Sequence, residues 1–284
     1  MIKLALTDLD DTLIPLAHRG SASERTIEAI HAMLDAGLHF GPVTGRTPSG
    51  VYQTFHGDER CFATGAYANG QIVMLDGEVI HKEWCSAEAL QHVAEVMDEL
   101  GEGALAVYDV EGPDRSGWFV SHDPGRCENG FGWQLNNYHT MAHVKGPMLK
   151  ANVHVLSSLS RERHIEIRDL LRREVSELDF VFPSNTAPLI DVTPKGYGKG
   201  SASVILADAL GIGIDEVAVF GDSENDLIML AAVPNSVAVA NASDEAKTAA
   251  RWECGRSDDE GVADALLAIA AAASTGEMPS FMRP

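Results

Sequence analysis

Basic residues are scarce in this chain of 284 residues. Lysine and arginine together number 21, against 42 aspartate and glutamate residues, and the formal net charge is −21 at pH 7. A surface this negative repels nucleic acids and anionic lipid headgroups, so we expect neither as a partner. An anionic ligand would have to be attracted by a local positive site, because the overall field of the protein repels it.

Cysteines are also few, and long apolar runs are missing. The four cysteines lie far apart in the sequence, which predicts reduced thiols in a cytoplasmic protein and argues against a disulfide framework or a zinc site. The most apolar late segment, residues 263–273, is shorter than the roughly 20 residues that a membrane-spanning helix needs. Residues 1–6 are too short for the apolar part of a signal peptide. We therefore expect no membrane segment.

The chain is rich in carboxylates directly after its first apolar run. Asp8, Asp10 and Asp11 follow residues 2–7, whose composition is typical of a buried strand. Carboxylates this close repel one another, and a divalent cation is the usual compensation. Two carboxylates two residues apart can also supply a nucleophile and a general acid/base. We interpret Asp11 as a structural residue and Thr12 as a donor that orients a neighbouring carboxylate.

Apolar periodicity alternates between strand and helix at both ends of the chain. A strand–helix–strand–helix pattern occupies the first fifty or so residues, and a similar pattern returns from Gly200 onward. This predicts an α/β fold with a Rossmann-like parallel-sheet core. The sequence pattern of residues 82–189 is different, because it predicts several strands, two amphipathic helices and loops rich in glycine, proline and asparagine. We assign residues 1–81 and 190–284 to the core domain and residues 82–189 to an inserted α+β domain.

Three further polar elements occur where predicted strands end or predicted helices begin. Thr44-Gly45-Arg46 offers a hydroxyl and a bare backbone N–H at a helix start, which suits phosphate oxygens. Lys199 supplies a point charge at another helix start. Asp222 follows an apolar strand, with Asn225 and Asp226 about one helical turn further on. Because open α/β sheets bind ligands at the carboxyl ends of their strands, we expect all these groups to share one rim with the first acidic motif.

These four elements, in this order, resemble the motifs of the haloacid dehalogenase-like hydrolases. Lys199-Gly200, residues 221–229 and Asn241-Ala242 are similar to the Cof-type phosphatases, as are Asn69-Gly70 and residues 76–80. That group is subclass IIB of the family, in which a large α/β cap lies between the second and third motifs. The resemblance covers the whole chain and implies a phosphatase fold with an inserted cap.

The resemblance also implies a role for each matching residue. Asp8 would be the nucleophile and Asp10 the general acid and base. A second aspartate in the first motif goes with phosphate chemistry in the family, so Asp10 favours a phosphatase over a dehalogenase. The residues expected to bind the phosphoryl group or the substrate are Thr44, Gly45, Arg46, Lys199 and Asn225. For Arg46, binding of a surface carboxylate is an equal alternative.

A magnesium site is implied at the same place. Asp222 would bind Mg²⁺ together with the Asp8 carboxylate and the backbone carbonyl of Asp10. Asp226 and Asn225 would support that site without binding the metal directly. The metal and the lysine would both neutralise charge on the transferring phosphoryl group.

We therefore predict a magnesium-dependent phosphatase that hydrolyses a small phosphomonoester, a sugar phosphate or another phosphorylated metabolite, through an aspartyl phosphate. A phosphomutase or other phosphotransferase is one alternative, and a non-catalytic phosphoacceptor similar to signalling receiver domains is another. Asp10 and the inserted domain argue against the phosphoacceptor. We expect a cytoplasmic monomer or homodimer.

The inserted domain is predicted to select the substrate. Its loops near residues 111–117 and 123–137 are the expected specificity elements. His139 and His143 have the spacing of one helical face, but no third ligand is near them in the sequence, so we interpret them as ordinary histidines. Four aromatic residues either line a substrate pocket or, as we favour for most of them, belong to the core of this domain: Trp118, Phe131, Trp133 and Tyr138.

Overall fold

The protein divides into two compact units in the computed structural model, which describes residues 1–18, 20–110, 117–123, 125, 127, 138–184 and 187–283. The first unit comprises Met1–Lys82 and Gly198–Pro284, and the second comprises Glu83–Tyr197. The second unit contains most of the predicted insertion, residues 82–189, whose exact bounds stay a prediction.

The described part of the chain contains fourteen β-strands and eight α-helices. The strands are β1 (Leu4–Thr7), β2 (His39–Pro42), β3 (Gly65–Tyr67), β4 (Ile72–Leu75), β5 (Glu78–Lys82), β6 (Gly103–Tyr108), β7 (Gly117–Val120), β8 (Tyr138–Met141), β9 (Ala151–Val155), β10 (Leu178–Val181), β11 (Leu189–Pro194), β12 (Val217–Gly221), β13 (Asn235–Val239) and β14 (Trp252–Cys254). The helices are α1 (Glu24–Asp35), α2 (Pro48–Val51), α3 (Ala87–Leu100), α4 (Arg161–Glu174), α5 (Lys199–Leu210), α6 (Leu227–Ala232), α7 (Asp244–Ala249) and α8 (Gly261–Ala273). None of these helices is long and apolar enough to cross a membrane.

A five-stranded parallel sheet forms the centre of the first unit, in the order β14-β13-β12-β1-β2. Every residue of β1, β12 and β13 is buried, as expected for parallel strands that are covered on both faces. This confirms the predicted α/β core. Thr7 is in register with Phe220 of β12 and with Pro42 of β2. The three strands therefore end at one edge, where the residues that follow them meet.

A close backbone approach fixes the start of α5 in the first unit. Gly70, in the turn between β3 and β4, has a φ of +96°, and a Cβ there would lie 2.7 Å from the carbonyl oxygen of Gly198. Only glycine tolerates both the conformation and the contact. Asn69 before it is also left-handed, with a φ of 59°. This turn packs against the residue that precedes Lys199.

A six-stranded mixed sheet forms the second unit, in the order β10-β11-β9-β6-β7-β8. Its neighbouring strands are antiparallel except for β7 and β8, which are parallel. Helices α3 and α4 contribute Leu90, Val93 and Leu171 to an apolar cluster with Leu105 and Val153 of the sheet. Because side chains alternate along a strand, the residues between these lie on the opposite face.

The aromatic residues of the insertion are described only in part. Phe131 and Trp133 lie outside the described residues, as do most of the predicted specificity loops. Trp118 packs against the apolar cluster of α3 and α4 and also lines a pocket of the second unit with Tyr108 and Met148. Tyr138 stacks on Phe119 with ring centroids 5.0 Å apart.

His139 and His143 do not share a helical face. His139 lies in β8, with its ring centroid 6.3 Å from that of Trp118. His143 follows the strand, and its ring centroid is 5.4 Å from that of His122. Among the described residues, neither histidine belongs to a group of three potential metal ligands. The interpretation as ordinary histidines stays a prediction.

Candidate active site

Asp8 directly follows strand β1, at the carboxyl end of that strand, and is 6% exposed. Its backbone N–H donates to the carbonyl oxygen of Phe220 at 3.0 Å, which continues the pairing with β12. One carboxylate oxygen, Oδ1, accepts a hydrogen bond from Nζ of Lys199 at 2.6 Å. Lys199 is the first residue of α5 and is 2% exposed. The structure thus brings together the first and third predicted motifs in a buried ion pair.

Lys199 also binds Asp226, which is completely buried. Nζ of Lys199 lies 2.6 Å from Oδ1 of Asp226. The other oxygen, Oδ2, accepts the backbone N–H groups of Asp222 at 2.9 Å and Ser223 at 3.2 Å. Gly221 makes this turn possible, because a Cβ at that position would lie 2.6 Å from the Cβ of Asp226. Both oxygens of Asp226 are engaged, so this residue holds Lys199 and the turn after β12 in place.

Asp222 follows β12 directly and is 9% exposed. Its Oδ1 accepts a hydrogen bond from the hydroxyl of Thr12 at 2.9 Å, so Thr12 does orient a neighbouring carboxylate as predicted. The backbone carbonyl of Asp222 accepts the N–H of Ser243 at 2.9 Å. The side chain of Asp222 is therefore held by the loop after β1, and its backbone is held by the residue before α7.

The electrostatics of this site are dominated by crowded carboxylates. Burial raises the pKa of Asp8 to about 7, with further increases from Asp226 and Asp10, while Lys199 acts in the opposite direction. Burial also raises the pKa of Asp222 to about 8, and both Asp226 and Asp8 add to the increase. Burial lowers the pKa of Lys199, but Asp226 and Asp8 more than offset this and hold it above its usual value. The three carboxyl groups of Asp8, Asp222 and Asp226 thus share one ammonium group, that of Lys199.

The same crowding fits a divalent cation. Asp8, Asp222 and Asp226 each offer a carboxylate oxygen, and these atoms all lie within 4.8 Å of one another. Because both oxygens of Asp226 are already bonded within the protein, Asp8 and Asp222 are the carboxylates with capacity left for a metal. Carboxylate oxygens are the ligands that Mg²⁺ prefers in proteins. The donor set and the raised pKa values of Asp8 and Asp222 therefore suit magnesium.

Asp10 differs from Asp8 in its surroundings, because its side chain is 50% exposed. Arg46 holds it with two donors: Nε donates to Oδ2 at 3.0 Å, and Nη2 donates to Oδ1. The remaining nitrogen, Nη1, donates to the hydroxyl of Thr54 at 2.8 Å. The structure thus shows Arg46 bound to a partly exposed carboxylate, that of the predicted acid/base residue.

The other predicted phosphate-binding residues lie near two of these strand ends. Thr44 follows β2, is 1% exposed, and accepts the backbone N–H of Arg46 on its hydroxyl at 3.2 Å. Gly45 lies between them at the start of the turn to α2. Asn225 follows β12, but its Oδ1 accepts a hydrogen bond from the hydroxyl of Ser223 at 3.0 Å. In this structure its amide oxygen therefore supports its own turn.

Asp11 is part of the framework, as predicted. It has a φ of 62°, and its carbonyl oxygen accepts from Nδ2 of Asn241 at 2.9 Å. Its Oδ1 accepts from the hydroxyl of Ser257 at 3.0 Å, and the N–H of Ser257 donates to Oδ1 of Asn241 at 2.8 Å. Ser257 was not predicted, because a serine so distant in the sequence carries no local signal for this contact.

Known proteins resemble this chain over most of its length. A family model described as haloacid dehalogenase-like hydrolase matches residues 5–266. The chain is 26% identical over 267 residues to a putative phosphatase of Haemophilus influenzae. The aligned region covers 93% of this chain and 96% of the relative. It is also 26% identical over 255 residues to an HMP-PP phosphatase of Yersinia pseudotuberculosis, with 85% of each chain covered.

A solved structure shares the fold over nearly the whole chain. It is that of the subclass IIB sugar phosphatase BT4131, with a TM-score of 0.73 and 20% sequence identity over 93% of this chain and 97% of that chain. The likeness includes both the parallel core and the inserted mixed sheet, because almost all of each chain is matched. The resemblance inferred from the four motifs is confirmed by the family model. The chain belongs to the family of haloacid dehalogenase-like hydrolases.

Proposed function

We propose that this hydrolase is a magnesium-dependent phosphatase that releases phosphate from a small phosphomonoester through an aspartyl phosphate on Asp8. The observation that carries the proposal is the contact of Lys199 Nζ with both Asp8 and Asp226 at 2.6 Å. It places an ammonium group directly against a buried carboxylate at the carboxyl end of β1. The phosphatase names of the relatives support the same reaction class.

In the first step Asp8 acts as the nucleophile. Lys199 fixes Oδ1, so Oδ2 is the oxygen that attacks phosphorus. A bond forms between Oδ2 and phosphorus, and the bond from phosphorus to the ester oxygen breaks. Asp10, in its protonated form, gives its proton to the departing oxygen. The ammonium group of Lys199 stabilises the negative charge on the transferring phosphoryl group.

In the second step Asp10 acts as a base. It is now a carboxylate, and it takes a proton from a water molecule that attacks the phosphorus. The bond between phosphorus and Asp8 breaks, inorganic phosphate leaves, and the Asp8 carboxylate is restored. Asp10 ends the cycle protonated. Its partial exposure gives it access to water that the buried Asp8 does not have.

The remaining residues bind and orient the phosphoryl group. Thr44 supplies a hydroxyl and Gly45 a backbone N–H for its oxygens. Magnesium would be held by the carboxylates of Asp8 and Asp222 and by the backbone carbonyl of Asp10. When bound, it supplies positive charge that favours the ionised form of Asp8 and neutralises phosphoryl oxygens.

We assign the choice of substrate to the second unit, residues 83–197. The family resemblance supports this assignment, because the insertion is the part of the chain that the subclass uses as a cap. The substrate class proposed is a small phosphorylated metabolite such as a sugar phosphate. HMP-PP, which the name of one relative identifies as its substrate, belongs in the same test set.

The experiment is a panel of phosphomonoesters incubated with the full chain and Mg²⁺, with inorganic phosphate measured. Release of phosphate from at least one compound, abolished by EDTA and restored by Mg²⁺, is the expected result. An isomerised phosphoester without free phosphate would indicate a phosphomutase. A long-lived phosphorylated protein that releases no phosphate would indicate a phosphoacceptor. Either of these last two results would overturn the proposal.

A further inference from the structure

A second group of potential metal ligands lies in the first unit and shares no residue with the active site. The described residues contain two groups of three side chains whose potential ligand atoms all lie within 4.8 Å of one another. One is the carboxylate cluster of the active site, and the other consists of His31, Asp58 and Cys61. The second group combines nitrogen, oxygen and sulfur donors, and the proposed phosphatase mechanism does not use it.

A tight turn places Asp58 and Cys61 side by side. Asp58 caps the short 3-10 helix Glu59–Cys61, and the backbone N–H of Cys61 donates to the carbonyl oxygen of Asp58 at 3.1 Å. Side chains three residues apart in a 3-10 helix lie above one another, so the carboxylate and the thiol project from the same side. Oδ1 of Asp58 accepts a backbone N–H of this turn at 3.2 Å, which orients the carboxylate and leaves Oδ2 facing His31.

His31 approaches this turn from helix α1. Its Nε2 lies 2.7 Å from Oδ2 of Asp58, and yet this buried nitrogen makes no hydrogen bond with any described residue. At that distance a hydrogen bond fails only through misalignment, so the oxygen lies off the axis of the ring nitrogen. His56 shows the ordinary case, since its Nε2 forms a hydrogen bond with the carbonyl oxygen of Ala22 at 2.9 Å. A buried nitrogen without a hydrogen bond calls for another partner.

The donor set selects the kind of partner. A thiolate, a carboxylate and a neutral imidazole together carry two negative charges, which balance a divalent cation in a largely buried place. Sulfur and nitrogen donors favour Zn²⁺ over Mg²⁺, which prefers oxygen. The ligand atoms of a tetrahedral zinc site lie about 3.3–3.6 Å apart, so movements of about 1 Å bring these three side chains to that spacing.

Two of the three ligands give the cation access from solvent. The side chains of His31 and Asp58 are 29% and 27% exposed, whereas Cys61 is completely buried. A cation can therefore enter from the surface, and a water molecule can supply the fourth ligand. Burial raises the pKa of the Cys61 thiol to about 12, so binding of the cation displaces the thiol proton to solvent.

We propose that His31, Asp58 and Cys61 bind Zn²⁺ and thereby tie helix α1 to the 3-10 helix before β3. With three protein ligands the ion is exchangeable, and the first unit becomes more stable when Zn²⁺ is available. The sequence did not indicate this site, because His31 lies far from the other two ligands along the chain. The proposal does not depend on the phosphatase function.

Cobalt is the probe for the thiolate ligand. The full chain is freed of metal with EDTA and moved to buffer with a reductant and excess Mg²⁺, which competes for the carboxylate cluster, and Co²⁺ is then titrated. The wild type should develop the near-ultraviolet absorption of a thiolate–Co²⁺ bond, and Zn²⁺ should abolish it. Cys61→Ala should lose this absorption. The matched control Cys254→Ala should keep it, because Cys254 belongs to no three-ligand group among the described residues.

Two results of this titration would overturn the proposal. One is the lack of a thiolate absorption in the wild type. The other is an unchanged absorption in Cys61→Ala, which would assign the metal to another cysteine.

The histidine ligand is tested by affinity for Zn²⁺, measured in competition with a chromophoric chelator. His31→Gln should weaken binding about tenfold or more, since one of three protein ligands is lost. The matched control His56→Gln should bind Zn²⁺ as the wild type does, because its ring is bonded to the backbone. Equal affinities of His31→Gln and the wild type would reduce the cluster to an ion pair beside a core cysteine and contradict the assignment.

Stability supplies a readout that does not use metal spectra. With Mg²⁺ present throughout, Zn²⁺ should raise the urea midpoint of the wild type and leave that of Cys61→Ala unchanged. A urea titration in EDTA shows whether Cys61→Ala folds, and His31→Gln, altered at a partly exposed side chain, gives the same comparison if it does not. Equal increases in the wild type and the variants would place the stabilising zinc elsewhere and overturn the proposal. The phosphoester panel tests the phosphatase function separately.

Discussion

Arg46 holds Asp10 through both carboxylate oxygens. Nε donates to Oδ2 at 3.0 Å, Nη2 donates to Oδ1, and Nη1 is anchored on Thr54 at 2.8 Å. A planar guanidinium group bound in this way fixes the orientation of a carboxylate as well as its position. Arg46 therefore orients the side chain that the proposed mechanism uses as acid and base.

Replacement of Arg46 should impair catalysis more than stability. In Arg46→Met, Asp10 is free to rotate, and we expect kcat to fall at least about tenfold with little change in KM, because orientation of a catalytic group is lost. The free energy of unfolding should change by about 1 kcal/mol or less, since both side chains are partly exposed. Steady-state kinetics and urea titration measure the two effects.

The matched control is Arg60→Met. Arg60 binds Asp35 at 2.6 Å in an exposed ion pair that belongs to none of the proposed site groups. This variant should leave kcat unchanged. An unchanged kcat in Arg46→Met as well would show that the contact with Asp10 has no role in turnover.

Asp8→Asn should abolish phosphate release while the fold is kept. The amide cannot act as the nucleophile, so we expect turnover below about one-thousandth of the wild-type value. Removal of a buried carboxylate beside Asp222 and Asp226 also relieves repulsion. In EDTA the variant should therefore unfold at a urea concentration close to that of the wild type. Appreciable phosphate release by a folded Asp8→Asn would contradict the proposed nucleophile.

Lys199→Met should strongly destabilise the protein. The variant leaves Asp8 and Asp226 buried without their ammonium partner, and loss of one partner of a buried pair costs about 3–5 kcal/mol. The urea midpoint of unfolding measures this effect. The matched control is Lys195→Met, whose exposed lysine binds Asp179, and it should change stability little. Similar stabilities of the two variants would mean that Lys199 does not hold the site together.

The stability of the metal-free protein should fall as the pH rises. The folded-state pKa values of Asp8 and Asp222 are about 7 and about 8, above the ordinary carboxyl value of the unfolded chain. Between about pH 4 and pH 8 the folded protein therefore binds more protons than the unfolded chain. Each group then lowers the free energy of unfolding by up to about 1.4 kcal/mol per pH unit.

The measurement is a series of urea titrations in EDTA from about pH 5 to pH 9, repeated with Mg²⁺. Mg²⁺ should raise the midpoint more at the alkaline end, because it binds the ionised carboxylates. Asp222→Asn should flatten the pH dependence. A stability that rises with pH in EDTA would contradict the assigned direction of these shifts.

The proximity of Asp8, Lys199 and Asp222 could be predicted because each motif follows a strand or begins a helix. Asp8 and Asp222 lie where the apolar runs of β1 and β12 end, and parallel pairing of those strands brings them together. The contact between Arg46 and Asp10 could not be predicted, because a side chain's partner across a loop leaves no periodic signal. The engagement of both Asp226 oxygens depends in the same way on the exact turn after β12.

The partners of β11 could not be predicted for a related reason. β11 is an apolar strand shortly before Lys199. Its sequence alone is therefore compatible with the five-stranded sheet of the first unit and with the six-stranded sheet of the second unit. In the structure it pairs antiparallel with β9 and β10, which belong to the second unit. β14 was not predicted, because the three residues Trp252–Cys254 are too few to show an alternation. Strand partners depend on the tertiary fold and are not encoded in one strand's own pattern.

The most direct test of the proposed mechanism is to trap the phosphorylated enzyme in Asp10→Asn. This variant keeps the nucleophile but lacks the base of the second step, so hydrolysis of the aspartyl phosphate should be slow. The variant is incubated with Mg²⁺ and p-nitrophenyl phosphate, quenched in acid and treated with borohydride, which reduces an acyl phosphate to an alcohol. Peptide mass mapping should then find homoserine at position 8. A variant that turns over substrate with an unmodified Asp8, or that carries the modification at another residue, would contradict the account.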